Sequence, residues 1–339
     1  MCLRAISRVY GNATRYRLLK YYRNEKLRKR VPAKVISVGN IVAGGTGKTP
    51  VVMWLCKYLE NKGFSVAVVS RGYGRKKGSK KVIVLQDKVS GMSWEEVGDE
   101  PYMLFRRLKS VPVVVGTDRY ACAAEAIKNF NPDVIVMDDG FQHLRLERDV
   151  DLVLLDCEAP FDNGHLLPLG KLREPVSHLV RADAFILTRV GETEKEAASF
   201  FTYVFPGKPI FGCYHRPVSI KEVKTGTLRE TGFLEGKNIV GLGGIGAPET
   251  FKKSLERLGA NIKCFLAFPD HYAYSAKDVE KIVAIGEKYK VDVIVTTEKD
   301  EVRLLPFIVK FDNFFSLVID VEFADEAAFR GWLERRICL

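Results

Sequence analysis

A glycine-rich turn at residues 37–50, SVGNIVAGGTGKTP, joins an apolar run to a longer apolar segment. The run KVISV at 34–38 predicts a buried strand, and the segment at 51–63 predicts a helix. A turn of this composition, followed by Lys48 and Thr49, is typical of phosphate-binding loops, whose backbone N–H groups and lysine face the phosphates. The N-terminus of the following helix favours the same anion. The sequence therefore predicts a nucleotide-phosphate site at this turn.

The glycine spacing departs from the usual phosphate-loop pattern. That pattern has a glycine separated from the Gly-Lys pair by four residues, and here the position is Val42. Two adjacent glycines further along the loop take its place. A glycine turn without a ligand therefore stays open as an alternative. We predict that the nucleotide is bound by the loop residues Gly44, Gly45, Thr46, Gly47, Lys48 and Thr49.

Apolar runs and helical segments alternate along most of the chain. Val- and Ile-rich runs separated by helices indicate a parallel sheet that is covered on both faces. We predict an α/β fold with two α/β/α sandwich domains, the first built on a P-loop NTPase-type parallel sheet. The expected divisions are an N-terminal segment at 1–30, a first domain at 31–215 and a smaller α/β domain at 216–339.

Individual elements follow from the same patterns. In the first domain we predict strands at 34–38, 65–70, 81–85, 111–116, 133–139, 150–156 and 184–189, and helices at 51–63, 95–109 and 118–130, the last capped by Asp118. A second α/β unit follows the segment at 205–220, and the final helix at 326–336 can pack on either domain.

Basic charge is concentrated in the N-terminal segment. The chain has 339 residues and a net charge of +11, and residues 1–30 hold ten Lys/Arg and one acid, leaving 43 basic and 41 acidic residues elsewhere. One predicted helix face carries apolar side chains, and the opposite side carries arginines: Leu3, Ile6, Val9, Tyr10, Ala13 and Tyr16 against Arg4, Arg8 and Arg15. This pattern indicates a helix lying on an anionic membrane surface. A surface helix packed on its own domain and a nucleic-acid arm stay open.

Other bulk features narrow the class of protein. No stretch of about 18 apolar residues is present, so the sequence predicts no membrane-spanning helix. The seven cysteines are dispersed without metal or redox spacing, which is typical of reduced intracellular thiols.

Two adjacent carboxylates end a predicted buried strand in VIVMDDG, residues 134–140. Asp138 and Asp139 have the chemistry to hold Mg²⁺ beside bound phosphates. Gln142 and His143 follow at once, beyond the carboxyl end of the strand, where open α/β sheets bind ligands. We predict a magnesium site at the carboxylates and a ligand-contacting role for the two residues after them. A structural role for His143 stays open, as does the alternative that one carboxylate fixes a water or a neighbouring residue.

Two further motifs concern the second domain. FPDHY at 268–272 puts His271 after a strand, and VGDEPY at 97–102 offers Asp99 at a helix start. A histidine paired with a carboxylate is the usual general base for a hydroxyl, but the sequence does not show that the two meet. GLGGIG at 241–246 has dinucleotide-site spacing, but the chain already has a stronger nucleotide loop, and we expect these glycines to serve close strand–helix packing.

Together these motifs resemble a known family. VGNIVAGGTGKTP, SRGYGR, VGDEP, TDRY, DDGFQH, GKLREP and FPDHY occur in the order found in the tetraacyldisaccharide 4′-kinases, the lipid A 4′-kinases of Gram-negative bacteria. The resemblance runs from the glycine-rich turn to about residue 300. It implies a peripheral enzyme on the cytoplasmic face of the bacterial inner membrane. Such an enzyme transfers the γ-phosphate of ATP to the 4′-hydroxyl of a tetraacylated glucosamine disaccharide 1-phosphate, a lipid A precursor.

The resemblance also implies roles for individual residues. ATP and Mg²⁺ are the implied cofactors, with Lys48 and Asp139 in the catalytic set and His271 acting as a base oriented by Asp99. The implied magnesium-site residues are Thr49, Asp138, Asp139 and Glu174. Family positions around the phosphates and the lipid head group match Arg71, Arg119, Gln142 and His143.

A P-loop GTPase or ATPase switch, of the metallochaperone or partitioning type, is the main alternative. Loops of that class usually carry a lysine before the paired glycines, and here the residue is Ala43. A nucleic-acid-binding protein has only the N-terminal charge in its favour, without an aromatic platform or recognition motif. We therefore expect a lipid substrate and no nucleic-acid partner.

Overall fold

The computed structural model describes residues 2–75, 82–86, 92–189, 194–309 and 311–337. The first residue of the strand predicted at 81–85 lies outside these ranges. The first half of the chain contains α1 (Cys2–Arg23), β1 (Lys34–Gly39), α2 (Lys48–Asn61), β2 (Val66–Ser70), β3 (Ile83–Leu85), α3 (Trp94–Val97), α4 (Asp99–Leu108), β4 (Val113–Val115), α5 (Arg119–Phe130), β5 (Val134–Asp138), β6 (Val150–Asp156), β7 (Ala184–Thr188) and α6 (Glu194–Val204).

The second half begins with a long strand. Its elements are β8 (Ile210–Glu222), β9 (Leu228–Arg229), β10 (Asn238–Gly243), α7 (Pro248–Arg257), β11 (Asn261–Ala267), α8 (Ala276–Lys288), β12 (Val293–Thr297), α9 (Glu298–Ile308), β13 (Phe314–Phe323) and α10 (Glu326–Ile337). Among the described residues, no helix combines the length and the hydropathy needed to cross a bilayer.

The strands of the described residues form one sheet in the order β11-β10-β12-β13-β8-β7-β6-β1-β5-β2-β4-β3, with β9 paired to β8. Most neighbours are parallel, including β1 with β5 and with β6. The exceptions are β3 on β4, β13 on β8 and the short β9 on β8. The predicted parallel α/β architecture is confirmed, with antiparallel pairs added at one edge and at the middle of the sheet.

Strand β8 connects the two halves of the sheet. Residues 210–212 pair with β7, and residues 213–222 pair with β13. Most of the segment at 205–220, after which the sequence predicted a second α/β unit, therefore belongs to a single 13-residue strand that pairs with both halves. The domain division near residue 215 falls within this strand and stays a proposal.

Both faces of the sheet are buried under helices. Val35 of β1 lies in a cluster with residues of α5, whereas Ile36 and Val38 face a cluster with α2 and α4. Parallel strands that are buried on both faces carry continuous apolar runs because every side chain along them is removed from water. The apolar run of β1 was predicted from that pattern.

The helix predicted at 95–109 is interrupted. Gly98 has a φ of 100°, outside the helical region, and separates α3 from α4. The break makes Asp99 the first residue of α4, and the backbone amide of Glu100 donates to Oδ1 of Asp99. The prediction of one continuous helix was wrong, because apolar periodicity continues across a backbone kink that only a glycine tolerates.

The C-terminal helix α10 packs on the first half of the molecule. Phe329, Leu333 and Ile337 are buried in the cluster that contains the inner face of α2. The ring of Phe329 stacks on Phe323 of β13 with centroids 4.2 Å apart. The question left open by the sequence is settled by this shared core, which ties the end of the chain to the helix after the glycine-rich turn.

We expect Phe329→Ala to lower the free energy of unfolding by about 3–5 kcal/mol, because it opens a cavity in a buried aromatic cluster. Urea denaturation followed by far-UV circular dichroism measures the loss. Tyr203→Ala, at a side chain that is 87% exposed, is the control and should change stability by less than about 0.5 kcal/mol. A loss below about 1 kcal/mol for Phe329→Ala would show that α10 is peripheral to the core.

Candidate active site

The glycine-rich turn lies between β1 and α2, as predicted. Gly44 and Gly47 have φ values of 122° and 77°, which L-residues with a side chain rarely adopt. The loop is braced from within, because Asn40 Nδ2 donates to the carbonyl of Val42 at 2.7 Å and to Oγ1 of Thr46 at 2.9 Å. The backbone is therefore held in a shape that exposes its N–H groups at a helix N-terminus.

Helix α2 begins three residues earlier than the sequence predicted. Its first residues are Lys48 and Thr49, so both side chains leave from the first turn. Lys48 Nζ is 3.5 Å from Oδ1 of Asp139, at the end of β5. Because β1 and β5 are adjacent parallel strands, the turn after one and the carboxylates after the other meet at the same edge of the sheet.

Asp139 is ionised and held by two cations. Arg173 Nη1 donates to both of its oxygens at 2.8 and 2.9 Å, and Lys48 lies on the same side. Burial by itself raises the pKa of Asp139, but Lys48 and Arg173 outweigh it and lower the pKa to about 2. The φ of Asp139 is 51°, a left-handed conformation that is uncommon for residues with a side chain and is adopted by aspartate more often than by most.

Asp138 lies in a contrasting environment. Its Oδ2 accepts a hydrogen bond from Ser70 at 3.1 Å, whereas its Oδ1 is buried without a partner among the described residues. Burial, together with the neighbouring Glu100 and Asp139, raises the pKa of Asp138 well above the ordinary carboxyl value. Burial thus favours the neutral form of this carboxyl, and a cation bound beside Oδ1 would favour the ionised form.

These residues fit a magnesium ion. Thr49, Asp138 and Asp139 offer hydroxyl and carboxylate oxygens, the hard donors that Mg²⁺ prefers, and the ion usually takes its remaining ligands from water and phosphates. No group of three or more His, Cys, Asp or Glu in the described part of the chain could hold a metal alone. The site therefore suits a metal bound together with a nucleotide.

Glu174, the remaining predicted magnesium ligand, is occupied by other partners. Its Oε2 is 2.7 Å from His178 Nδ1 and 2.8 Å from Arg181 Nη1, and Oε1 accepts a second bond from Arg181. Burial alone raises the pKa of Glu174, but these two partners lower it to about 2. In this arrangement the carboxylate braces the segment after Arg173, and the structure does not bring it together with Asp138.

The predicted head-group residues form a largely cationic cluster. Arg119 is buried and its Nε has no partner in the described part, while Nη1 reaches the Thr117 carbonyl at 3.1 Å. Burial, then the nearby Arg71, lowers the pKa of Arg119. Burial, then Arg119, lowers the pKa of His143 to about 3, so its ring is neutral. Gln142 instead lies under the loop, where Nε2 donates to the Asn40 carbonyl at 2.8 Å.

Asp99 and His271 meet across the two halves of the molecule. His271 Nδ1 is 2.9 Å from Oδ2 of Asp99, and Arg303 Nε lies 3.7 Å from the same oxygen. Burial raises the pKa of Asp99, but the bond from His271 and the charge of Lys299 and Arg303 outweigh it and lower the pKa. His271 has a φ of 58°, a second left-handed residue at the site. An ionised carboxylate thus orients an imidazole, the arrangement of a general base.

The pair lies next to the glycine-rich turn. A Cβ placed on Gly246, in the loop after β10, would be 3.3 Å from the amide of Gly45 and 3.5 Å from Oδ2 of Asp270. Gly246 therefore lies between the phosphate-type loop and the residue that precedes His271. The glycines of 241–246 are used for packing, as expected: Gly241 lies against Leu255 of α7, and the Gly244 amide donates to Asp300.

Sequence reasoning missed several side chains that complete the site. Asn40 and Arg173 stand inside quoted motifs, but nothing in their spacing showed that one braces the turn and the other binds Asp139. Lys299 and Arg303 lie on α9, outside both motifs, and Lys299 Nζ is 3.2 Å from His271 Nε2. The partners of Arg173 and Lys299 are about 30 residues away in sequence, and the contact of Asn40 depends on the folded shape of the turn, so none of these contacts follows from local spacing.

Comparison with known proteins gives consistent matches. The model of the LpxK family, tetraacyldisaccharide-1-P 4′-kinase, matches residues 1–338. A tetraacyldisaccharide 4′-kinase of Syntrophus aciditrophicus is 42% identical over 298 residues, 84% of this chain and 79% of that protein. One of Desulfatibacillum aliphaticivorans is 36% identical over 343 residues, 99% of this chain and 92% of that protein.

A solved structure confirms the fold. LpxK from Aquifex aeolicus, crystallised in complex with ATP, superposes with a TM-score of 0.79 at 32% identity, covering 98% of each chain. The α/β fold with a large, mostly parallel sheet that was expected from the sequence is therefore confirmed. With a family match over nearly the whole chain and relatives above 35% identity, this chain belongs to the tetraacyldisaccharide 4′-kinase family.

Proposed function

We propose that this chain transfers the γ-phosphate of ATP to the 4′-hydroxyl of a tetraacylated glucosamine disaccharide 1-phosphate. The observation that carries the proposal is the Asp99–His271 pair, which forms across the two halves of the molecule next to the phosphate-type loop. A general base beside a triphosphate site is what phosphorylation of a hydroxyl requires. The family to which the chain belongs supports the choice of substrate.

The nucleotide's triphosphate is assigned to the loop from Gly44 to Thr49. Its backbone N–H groups would bind phosphate oxygens, and Lys48 would neutralise the charge that develops between the β- and γ-phosphates. Arg173 currently pairs with Asp139 and adds positive charge at the same edge. Because phosphoryl transfer depends on positioning and charge neutralisation more than on covalent chemistry, these contacts would supply much of the rate enhancement.

Magnesium would be held by Thr49, Asp138 and Asp139. When bound, the ion would offset the negative charge of the phosphates. The unpartnered oxygen of Asp138 supports this assignment. For Glu174 the role of a ligand stays a prediction, because its carboxylate is engaged by Arg181 and His178.

The acceptor hydroxyl is assigned to Nε2 of His271. Asp99 accepts the Nδ1 proton, which leaves the Nε2 lone pair as the site that receives the hydroxyl proton. The positive charge of Arg71 and Arg119 supports binding of the anionic head group, since the buried Nε of Arg119 has an unused donor, and the neutral ring of His143 lies beside Arg119. Gln142 would act indirectly, by holding the loop through Asn40.

The division into parts follows from this assignment. We propose a membrane-associating segment at 1–30, a P-loop kinase domain at 31–215 and a smaller domain at 216–339 that contributes His271. A P-loop switch protein is disfavoured, because such a protein needs no base from a second domain.

Transfer of label from γ-labelled ATP to the extracted disaccharide lipid tests the function. Hydrolysis to free phosphate without labelled lipid would reject it.

The N-terminal helix α1 supports membrane association. Its contacts with the rest of the protein use small and polar side chains: Ser7 Oγ donates to the Leu166 carbonyl at 2.8 Å, and Gly11 lies against the Leu166 side chain. Leu3, Ile6 and Val9 of the apolar face predicted from the sequence are left in solvent, 54%, 51% and 68% exposed. Tyr10, predicted on the same face, instead lies against the protein, where its Oη donates to the Arg173 carbonyl at 2.9 Å. We propose that this face enters the interface of an anionic membrane on the cytoplasmic side, where the lipid substrate resides.

We expect Lys48→Ala to lose most kinase turnover while keeping its fold. Removing a cation from developing phosphate charge typically costs on the order of 3 kcal/mol of transition-state stabilisation, a loss of roughly a hundredfold. Steady-state kinetics with the lipid acceptor gives the value. Lys57→Ala, on the exposed side of the same helix, is the control and should retain activity. Turnover of Lys48→Ala within a few fold of wild type would contradict the loop assignment.

We expect Asp99→Ala and His271→Ala each to be severely impaired, with the double variant little worse than the poorer single one. Groups that act as a unit are strongly non-additive. His271→Ala should also lose the acidic limb of the rate–pH profile, because a base must be unprotonated to act. His165→Ala, at an exposed histidine, is the control. Losses that multiply would show that the two residues act independently.

We expect deletion of residues 2–30 to weaken binding to anionic vesicles, and added salt to weaken binding of the intact chain. Because the deletion also removes contacts to Leu166, Ile6→Asp with Val9→Asp provides a variant in which α1 keeps its packing. Lys277→Asn with Lys281→Asn, exposed on α8, changes net charge equally and should bind as wild type. Vesicle co-sedimentation measures all four. Equal binding by the folded arm variants would reject the anchor.

A further inference from the structure

Lys299 lies against the atom of His271 that would accept the substrate proton. Its Nζ is 3.2 Å from His271 Nε2, 3.2 Å from Oε1 of Glu100 and 3.4 Å from Oδ1 of Asp270. Burial lowers the pKa of Lys299, but the carboxylates of Glu100, Asp99 and Asp270 outweigh it and raise the pKa, so the side chain is an ammonium. An ammonium has three donors and no acceptor, and three acceptors surround it here.

This contact fixes the tautomer of the imidazole. Because Lys299 can only donate, Nε2 of His271 must accept, and the ring proton of the neutral form lies on Nδ1. Nδ1 is the nitrogen 2.9 Å from the Asp99 carboxylate. The lone pair needed for catalysis is therefore on Nε2, where it accepts a hydrogen bond from the ammonium of Lys299.

We propose that Lys299 is a positioning residue of the transfer reaction: it holds His271 in the Nδ1–H tautomer and covers Nε2 until the acceptor hydroxyl replaces it. The inference rests on the proposed function. In the step itself, the hydroxyl oxygen bonds to the γ-phosphorus while the bond to the β,γ-bridging oxygen breaks, giving ADP. The hydroxyl proton passes to Nε2. Lys299 gives up one hydrogen bond and stays held by Glu100 and Asp270.

The hydrogen bond from Lys299 to Nε2 of His271 also limits the activation of water at this site. Without an acceptor bound, the lone pair of His271 is engaged by Lys299 and is not available to activate a water molecule against ATP. A kinase must suppress this hydrolysis, because water is smaller and far more abundant than the lipid. Removal of the ammonium should therefore raise ATP hydrolysis measured without lipid.

A purely structural tie between α4 and α9 is the competing explanation. That interface has other ion pairs, including Arg106–Glu301 at 3.1 Å and Arg107–Glu298 at 2.7 Å, so it does not depend on Lys299. A structural role would change stability and leave the rate–pH profile in place. A positioning role would move the profile.

The direction of the pH effect follows from the groups that face His271. They are Asp99 from α4, Asp270 beside it in the loop, Lys299 from α9 with its partner Glu100, Arg303 next to Asp99, and the Tyr73 ring at 5.0 Å. Replacing Lys299 with a neutral residue removes a cation and leaves Glu100 and Asp270 uncompensated. Both changes favour the imidazolium, so the acidic limb of the profile should move to higher pH.

The test compares Lys299→Met, which keeps the methylene stem, with Lys299→Arg, which keeps the charge and donors. We expect the acidic limb of kcat/KM in Lys299→Met to move up by about one pH unit, a tenfold loss below the limb, with acceptor-free ATP hydrolysis raised severalfold. Lys299→Arg should stay close to wild type in both. An unmoved limb together with unchanged hydrolysis in a folded Lys299→Met would overturn the proposal.

A readout without catalysis separates this inference from the proposed function. Nitrogen-15 NMR of histidine-labelled protein, with His271→Gln used to assign the signal, reports the tautomer directly. We expect the Nδ1–H form in the wild type and a mixture of tautomers in Lys299→Met. An Nε2–H ring in the wild type would overturn the role of Lys299 even if lipid is phosphorylated. A wild type that phosphorylates no lipid but keeps the Nδ1–H ring would reject the proposed function alone.

Discussion

The ionic contact between α4 and α9 is the interaction on which the candidate site depends. Asp99 stands at the start of α4 and Lys299 near the start of α9, and the arginines of α4 pair with glutamates of α9 and with Asp320. Buried ion pairs contribute little net stability, because desolvation offsets their attraction, but they are strict about geometry. This contact therefore fixes how the second half of the molecule meets the first, and with it the distance from His271 to Asp99.

The two carboxylates beside the phosphate-type loop differ in how their charge is balanced. Asp139 is neutralised in advance by Lys48 and Arg173, whereas the buried oxygen of Asp138 has no donor in the described part. Asp139 is already paired with cations, whereas Asp138 has no such pairing among the described residues. This difference supports the proposed binding of a metal together with the nucleotide. The left-handed backbone at Asp139 and His271 belongs to the same arrangement, since such conformations persist only where surrounding contacts enforce them.

Helix α1 relates this chemistry to the substrate's surroundings. Ser7 of α1 contacts Leu166, and Tyr10 Oη donates to the Arg173 carbonyl. The helix therefore packs against the segment at 166–173, which ends at the site residue Arg173. The exposed apolar side chains of Leu3, Ile6 and Val9 point away from the protein. With the membrane association proposed above, α1 would present one face to the membrane and another to an active-site segment, and would so hold the catalytic edge near a lipid head group.

The sequence by itself determined the alternating elements, the glycine-rich turn with Lys48 and Thr49, the paired carboxylates after β5 and the amphipathic character of α1. Each of these depends on spacing within a few residues, where backbone geometry and burial impose a regular pattern. Only the tertiary structure decided that Asp99 reaches His271, that Arg173 binds Asp139, that Lys299 covers Nε2 and that α10 joins the first half. Some of those contacts join residues about 280 positions apart. Local periodicity does not predict them, because they arise only when whole elements pack together on both sides of β8.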